Sequence, residues 1–328
     1  MGFSFSALKK PFLTLAPMEE VADTVFRRVV TSVAKPDVMF TEFTNVEGIV
    51  SQAMQAKQAR QAIQANPVLQ RLVFSETERP IVAQIWGKDP KNFYEATKLI
   101  KKLRFDGVDI NMGCPEKDVV KNGCCIALIN NRNLAAEIIA AVKEGARSAG
   151  WRMPVSVKTR IGLDKIATED WCGFLLEQKI DALTVHGRTA KEKSDVPAHW
   201  DEIAKAVKLR DQISPKTIII GNGDVKNFLD AKCKLQIADV DGVMIGRGVL
   251  ENMACFSPQL TTLSPKENIN LLREHLERWE KTWGKTKNFA IMKKFVKAYI
   301  KGWEGAGELR ARLFETNSLK EMEVILET

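Results

Sequence analysis

Eight short apolar runs separated by helix-forming stretches constrain this chain more than any other feature. The predicted strands fall at Phe12–Met18, Val38–Phe43, Ile81–Trp86, Gly107–Met112, Pro154–Arg160, Ala182–Arg188, Thr217–Asn222 and Gly242–Ile245. Segments between them, such as Asn92–Leu103 and Leu134–Arg147, are amphipathic or rich in Ala and Lys. Alternation of this kind builds βα units around a parallel sheet. Eight evenly spaced units predict a closed (β/α)8 TIM barrel of the α/β class, because a doubly wound sheet rarely carries so many. A barrel needs about 250 residues, which leaves a remainder in a chain of 328. The strand pattern stops after Gly248, and from about residue 264 only helical segments follow, with breaks near Trp283-Gly284 and Gly305–Gly307. The expected division is a barrel over residues 1–255 and a C-terminal all-helical domain over 256–328. The Gln- and Ala-rich stretch from Ser51 to Glu78 reads as a helix with a short excursion before the third strand.

Barrel enzymes build their sites from residues at the C-terminal ends of strands, and this sequence puts polar side chains there repeatedly. In Val155–Arg160, alternation sends Ser156, Lys158 and Arg160 to one face and the valines to the other. Gln84, Asn111, His186 and Arg188 end three further strands. Asn222-Gly223-Asp224 follows the seventh strand and Gly246-Arg247-Gly248 the eighth. Loops at those two places are where barrels cradle phosphate, with backbone N–H groups facing the anion. A phosphate-bearing cofactor follows. Lys158 would either stabilise the negative charge of a reduced flavin or form a Schiff base, and the lysine alone leaves both open.

Composition narrows the setting. The chain is 45% hydrophobic, and no apolar run reaches the length of a membrane span. The opening residues lack the order of a signal peptide. Cys114, Cys124, Cys125, Cys172, Cys233 and Cys255 include no CxxC, and His186, His199 and His275 sit in no zinc-ligand spacing. The expectation is a cytoplasmic protein with no metal, no membrane association and no required oligomer. A net charge of +8 favours an anionic partner.

The loop Asp109-Ile110-Asn111-Met112-Gly113-Cys114-Pro115, running on to Gly123, resembles the signature of the tRNA-dihydrouridine synthases. So do Ala16-Pro17-Met18, Gln84 in its strand, Val157-Lys158-Thr159-Arg160, His186-Gly187-Arg188-Thr189 and the two glycine turns, all in the family's order. The tail segment Gly305–Arg310 resembles the family's helical domain. The resemblance implies FMN as cofactor, NADPH as reductant and tRNA as substrate. It implies that Pro17, Met18, Gln84, Lys158 and His186 contact the flavin ring. Asn222, Gly223, Asp224, Gly246 and Arg247 would hold its phosphate. Asn111 would border the uracil, with Arg160 and Arg188 as further substrate contacts.

On this reading Cys114 is the catalytic residue. Hydride arrives at C6 of uracil, and a proton must reach C5 from the opposite face. A thiol with an ordinary pKa of about 8.5 is mostly protonated at neutral pH and can give that proton. The chain departs from the family after Gly123, where small residues, often glycine, give way to Cys124 and Cys125. These two are read as packing residues.

Two rival readings share parts of this pattern. A flavin barrel acting on a free pyrimidine leaves the helical tail without a task, and an RNA-binding protein that has lost turnover leaves Cys114 and Lys158 without one. The tail carries its own signal. Between Lys281 and Lys301 there are seven lysines and no acidic residue. A helix over Ala290–Trp303 would bury Met292, Phe295, Val296, Tyr299 and Trp303, and would set Lys293, Lys297 and Lys301 in a stripe for tRNA phosphates.

Overall fold

The computed structural model describes residues 2–55, 66–147, 150–260 and 262–327. Much of the Ser51–Glu78 excursion, residues 56–65, therefore lies outside the described residues. Its ends are the helix Val46–Gln55 and the single turn Pro67–Gln70.

All strands are parallel and close into a barrel: β1 (Phe12–Leu15), β2 (Val38–Phe40), β3 (Thr44–Asn45), β4 (Ile81–Trp86), β5 (Gly107–Met112), β6 (Val155–Gly162), β7 (Ala182–Thr189), β8 (Ile218–Asn222) and β9 (Gly242–Ile245). Closure comes from pairing of β1 with β9 and of both β2 and β3 with β4. The barrel is the expected eight-stranded one, with its second staff split in two. Thr41 makes the break, because its N–H bonds to Val82 O while its hydroxyl takes the N–H of Gln84.

Side-chain alternation sorts the residues of each strand. Leu13, Leu15, Met39, Ile81, Ala83 and Ile85 point outward into the layer of helices. Phe12, Ala16, Val38, Phe40, Val82, Ala182, Ile218, Ile220 and Met244 point inward, where Phe5 joins them to form an apolar floor. Gly242 has no side chain because the Phe12 ring lies where one would go, with ring carbon Cε2 only 2.5 Å from an added Cβ. Following each strand toward its C-terminal end, the inward residues turn polar, through Gln84 and Asp109 to Lys158, Arg160, His186 and Asn222. Chemistry is therefore confined to one end of the barrel.

Helical structure alone follows β9 beyond Gly248, led by the long helix Pro265–Trp283, which Ser264 starts with a capping box. This helix packs on the barrel's first helix, Thr24–Val33. An aromatic seam joins them, with Phe26 stacked on Phe295 at 5.5 Å and His275 edge-on to Phe295 at 4.7 Å. Asp23 caps the first helix through Phe26 N–H and also accepts the Trp283 indole N–H at 2.8 Å. Among the described residues, no single helix is long and apolar enough to cross a membrane.

The predicted tail helix is shorter than expected. It spans Lys293–Tyr299, and the chain then turns through Gly302 at φ 83°. Met292, Phe295, Val296 and Tyr299 are buried as expected, whereas Trp303 is half-buried beyond the helix. Lys301 does not continue the stripe. It donates to Leu250 O, and Lys293 donates to Phe314 O, so of the three lysines only Lys297, on the surface, has no partner for its ammonium among the described residues.

Candidate active site

At the C-terminal end of the barrel a cavity of about 440 Å³ is lined by eleven of the residues singled out above. They are Pro17 and Met18 after β1, Lys158 and Arg160 on β6, His186 and Arg188 on β7, Asn222-Gly223-Asp224 after β8, and Gly246 and Arg247 after β9. Register explains why they converge: Arg160 pairs with His186, and His186 with Asn222, so the same inward row runs across three strands. Ser194, Val225, Lys226 and Glu251 also line it and were not anticipated. They lie in loops and in the short helix Gly248–Glu251, whose course strand periodicity does not report.

The cavity is built for an anion. Lys158, Arg160, Arg188 and Arg247 surround His186, and burial together with these cations holds its imidazole well below the usual range, hence neutral. Burial first, and Arg160 second, bring the Lys158 ammonium down to about 8. Among the described residues neither Lys158 nor Arg247 has a hydrogen-bond or ion-pair partner. A cation sunk in a protein without a partner is costly, and an anionic ligand at this place would supply one. Gly223 sits at φ 128°, and a Cβ there would come within 2.6 Å of Ala198 Cβ. The close approach of Ala198 therefore requires glycine at this turn. A flavin mononucleotide fits the donor set, with cations for its phosphate and apolar Pro17 and Met18 for its ring.

Arg188 differs from its expected role. Both Asp224 oxygens accept from it, at 2.7 and 2.6 Å, and Val196 O takes another of its N–H groups. It braces the Asn222-Gly223-Asp224 turn. Arg160 ties the mouth together, donating to Gly113 O at 3.0 Å and to Thr189 O at 2.9 Å.

Gln84 and Asn111 are not among the residues that line the cavity. Gln84 is fully buried and donates to Asp109 Oδ2 at 2.7 Å, while its carbonyl accepts from Asn111 at 3.1 Å. Asn111 turns its own oxygen to the N–H groups of Gly113 and Cys114. The carboxylate of Asp109, which also accepts from Ser156 at 2.6 Å, can only accept. It therefore orients each amide in turn, ending at the loop that carries Cys114. Burial pushes Asp109 up to about 6. The polar strand-end signal found these residues, but not that their groups are engaged with one another.

Cys114 is half-buried on this loop. Its thiol is not the ordinary one expected. A hydrogen bond from the Cys125 thiol, aided by the backbone N–H of Glu116, brings it down to about 7. Cys125 was expected only to pack, and its contact with Cys114 was not anticipated. The turn that makes the contact places Cys125 at φ 54°. A non-glycine residue two positions after a turn glycine was the one available signal.

Residues 14–328 match the family model described as dihydrouridine synthase. A probable tRNA-dihydrouridine synthase of Staphylococcus aureus (strain COL) is 42% identical over 328 residues, spanning 98% of this chain and 94% of that one. Probable tRNA-dihydrouridine synthase 2 of Bacillus subtilis (strain 168) is 40% identical over 325 residues, with 98% and 94% covered. Among solved structures, a morphinone reductase variant in complex with tetrahydroNAD aligns with a TM-score of 0.51 at 11% identity, over 76% of this chain and 86% of that one. That last likeness is one of fold.

Proposed function

The chain belongs to the dihydrouridine synthase family, and on that premise we propose that it reduces uridines in tRNA to 5,6-dihydrouridine. The observation that carries this reading is a half-buried thiol on the loop after β5, next to a cavity whose Lys158 and Arg247 lack partners among the described residues. In this proposal Arg247 and the backbone of Asn222, Gly223, Asp224 and Gly246 hold the phosphate of FMN. Pro17, Met18, Lys158 and His186 border its ring. Bound FMN, reduced by NADPH, supplies a hydride to C6 of the uracil.

Cys114 then gives its Sγ proton to C5. A general acid works best with a pKa near the operating pH, and a thiol at about 7 meets that condition. The donors from Cys125 and Glu116 hold the thiolate left behind. Arg160, anchored to Gly113 O, has one guanidinium nitrogen without a partner among the described residues and is the candidate contact for the uracil. Residues 1–255 act as the catalytic barrel and 256–328 as the tRNA-binding part, with Lys297 on its exposed face. Substrate and reductant assign the reaction to the cytoplasm.

The test is the purified protein with NADPH and unmodified tRNA, read by mass analysis of nucleosides. Dihydrouridine formation by the wild type, lost in Cys114→Ala while FMN and tRNA still bind, supports the reading. Flavin-loaded protein that reduces a free pyrimidine and leaves tRNA untouched would overturn it.

A further inference from the structure

We infer that a second cavity, beside the first, reads a guanine base of the RNA, with the Trp303 indole stacking on the base and Glu251 and Lys301 meeting its Watson–Crick edge. The inference deepens the function proposed above and rests on RNA being the substrate. This cavity measures about 430 Å³ and lies where the chain after β9 meets the tail. Sites for small ligands run from about 300 to 1,000 Å³. Its walls come from three stretches far apart in sequence, within residues 251–253, 262–268 and 298–303. Glu251 lines the first cavity as well, so the two meet at that residue. A single turn of helix, Gly248–Glu251, separates it from Arg247.

Trp303 reads in the sequence as the last inward residue of a helix. The helix ends instead at Tyr299, and the left-handed turn at Gly302 (φ 83°) brings Trp303 to the cavity. Nothing lies within 4 Å of where a Gly302 side chain would begin, so this side is open. The indole is half-buried, and among the described residues no ring or cation packs on it. Leu263 and Pro265 add apolar wall. An aromatic surface left free beside apolar side chains is the platform on which unstacked RNA bases sit.

The polar groups select the base. Glu251 and Lys301 both line the cavity, yet no ion pair joins them. The Glu251 carboxylate has no partner among the described residues, and Lys301 gives one of its three protons to Leu250 O at 2.6 Å. A carboxylate accepts and an ammonium donates. Along its Watson–Crick edge guanine offers two adjacent donors, N1–H and N2–H, and then the acceptor O6. Adenine, cytosine and uracil each set an acceptor beside every donor on that edge, and a carboxylate repels it. The Glu251 charge also disfavours a bare phosphate at this place. Of the eight staves of the barrel, β9 stands opposite β5, whose loop carries Cys114. Guanine here and uracil there would hold the RNA at two separated points of the mouth.

The experiment measures binding of dye-labelled cytidine heptamers, with a central guanosine, inosine or adenosine, to the full-length protein by fluorescence anisotropy. The guanosine form is expected to bind about tenfold more tightly than the adenosine form, the discrimination that one bidentate pair gives. Inosine, which lacks the N2 amino group, should fall between them. Glu251→Gln, whose amide offers one acceptor and one donor, is expected to lose the preference for guanosine over adenosine. Trp303→Ala should weaken the guanosine form about tenfold, and Trp303→Phe should recover most of that loss. Glu251→Gln, a surface substitution, keeps the test standing if Trp303→Ala does not fold. Equal binding of the guanosine and adenosine forms by the wild type, or a preference that survives Glu251→Gln, overturns the proposal. So does guanosine binding untouched in folded Trp303→Ala. These heptamers hold no uridine and need no turnover, so guanosine preference and dihydrouridine formation in tRNA can fail separately.

Discussion

The side-chain oxygen of Asn111 accepts the backbone N–H of Cys114 at 3.0 Å, and the same atom takes Gly113 N–H at 3.0 Å. One amide therefore sets the course of the loop that carries Cys114, and it is oriented in turn by Gln84 and Asp109. Asn111→Ala leaves those N–H groups without an acceptor, at a cost of about 1–3 kcal/mol in stability. Turnover should fall more than tRNA affinity, because the loop and not the binding surface is disturbed. Asn111→Asp keeps the acceptor and should recover part of the rate. Thermal denaturation with single-turnover kinetics checks both, and equal losses in the two variants would remove Asn111 from this role.

Lys158 predicts a pH limit on cofactor retention. Its ammonium is lowered to about 8 in the free protein, so the cation is present below that pH and disappears above it. Affinity for the flavin should weaken as pH rises past 8, with the limit moved upward by whatever negative charge the ligand brings. Lys158→Met should bind flavin more weakly at neutral pH and lose this dependence. Fluorescence titration of FMN across the range tests it; a wild-type affinity that stays flat counts against Lys158.

Glu42, at the end of the second staff and 3% exposed, is raised by burial, and next by the Asp23 carboxylate, to about 7. A folded pKa above the unfolded one adds stability below the unfolded value, and that contribution fades as pH rises through 7. Glu42→Gln keeps an oxygen for Glu20 N–H, the present partner at 2.6 Å. The variant should gain on the wild type between pH 5 and 8, by on the order of 1–3 kcal/mol. Urea denaturation at both pH values decides; an identical gap at each means the buried charge is not the cause.

The tail lysines should separate by environment. Lys297 is exposed, and its replacement should weaken tRNA binding and flatten the salt dependence by about 0.7–0.9 in slope if it meets a phosphate. Lys293 and Lys301 bond to carbonyl oxygens. Replacing them should lower thermal stability and leave the salt slope nearly unchanged. Binding measured at several salt concentrations tests this, and a slope that responds to Lys301 alone would reverse the assignment.

Strand positions were legible because a parallel barrel writes its inside and outside into every second residue. The run Ser156, Lys158, Arg160 shows the pattern plainly, and the glycines after β8 and β9 mark the turns that must stay open. Hydrogen-bond partners were not legible. Gln84 and Asn111 look like ligands in one dimension, and only the pairing of β4 with β5 shows that they bond to each other. The tail helix ends at Tyr299 ahead of the left-handed turn at Gly302, a glycine stop signal lying inside the stretch read as helix. Cys125 needed the loop's actual path, because a left-handed residue redirects the chain in a way composition does not announce.

The apolar floor made by Phe5, Phe12 and Ile218 has a kinetic consequence. On the proposed function, with the N-terminal end closed, every reactant would use the same doorway, and the nicotinamide and the nucleobase would visit in turn. Double-reciprocal plots at several fixed concentrations of one reactant should then be parallel, and an excess of either should inhibit by holding the entrance against the other.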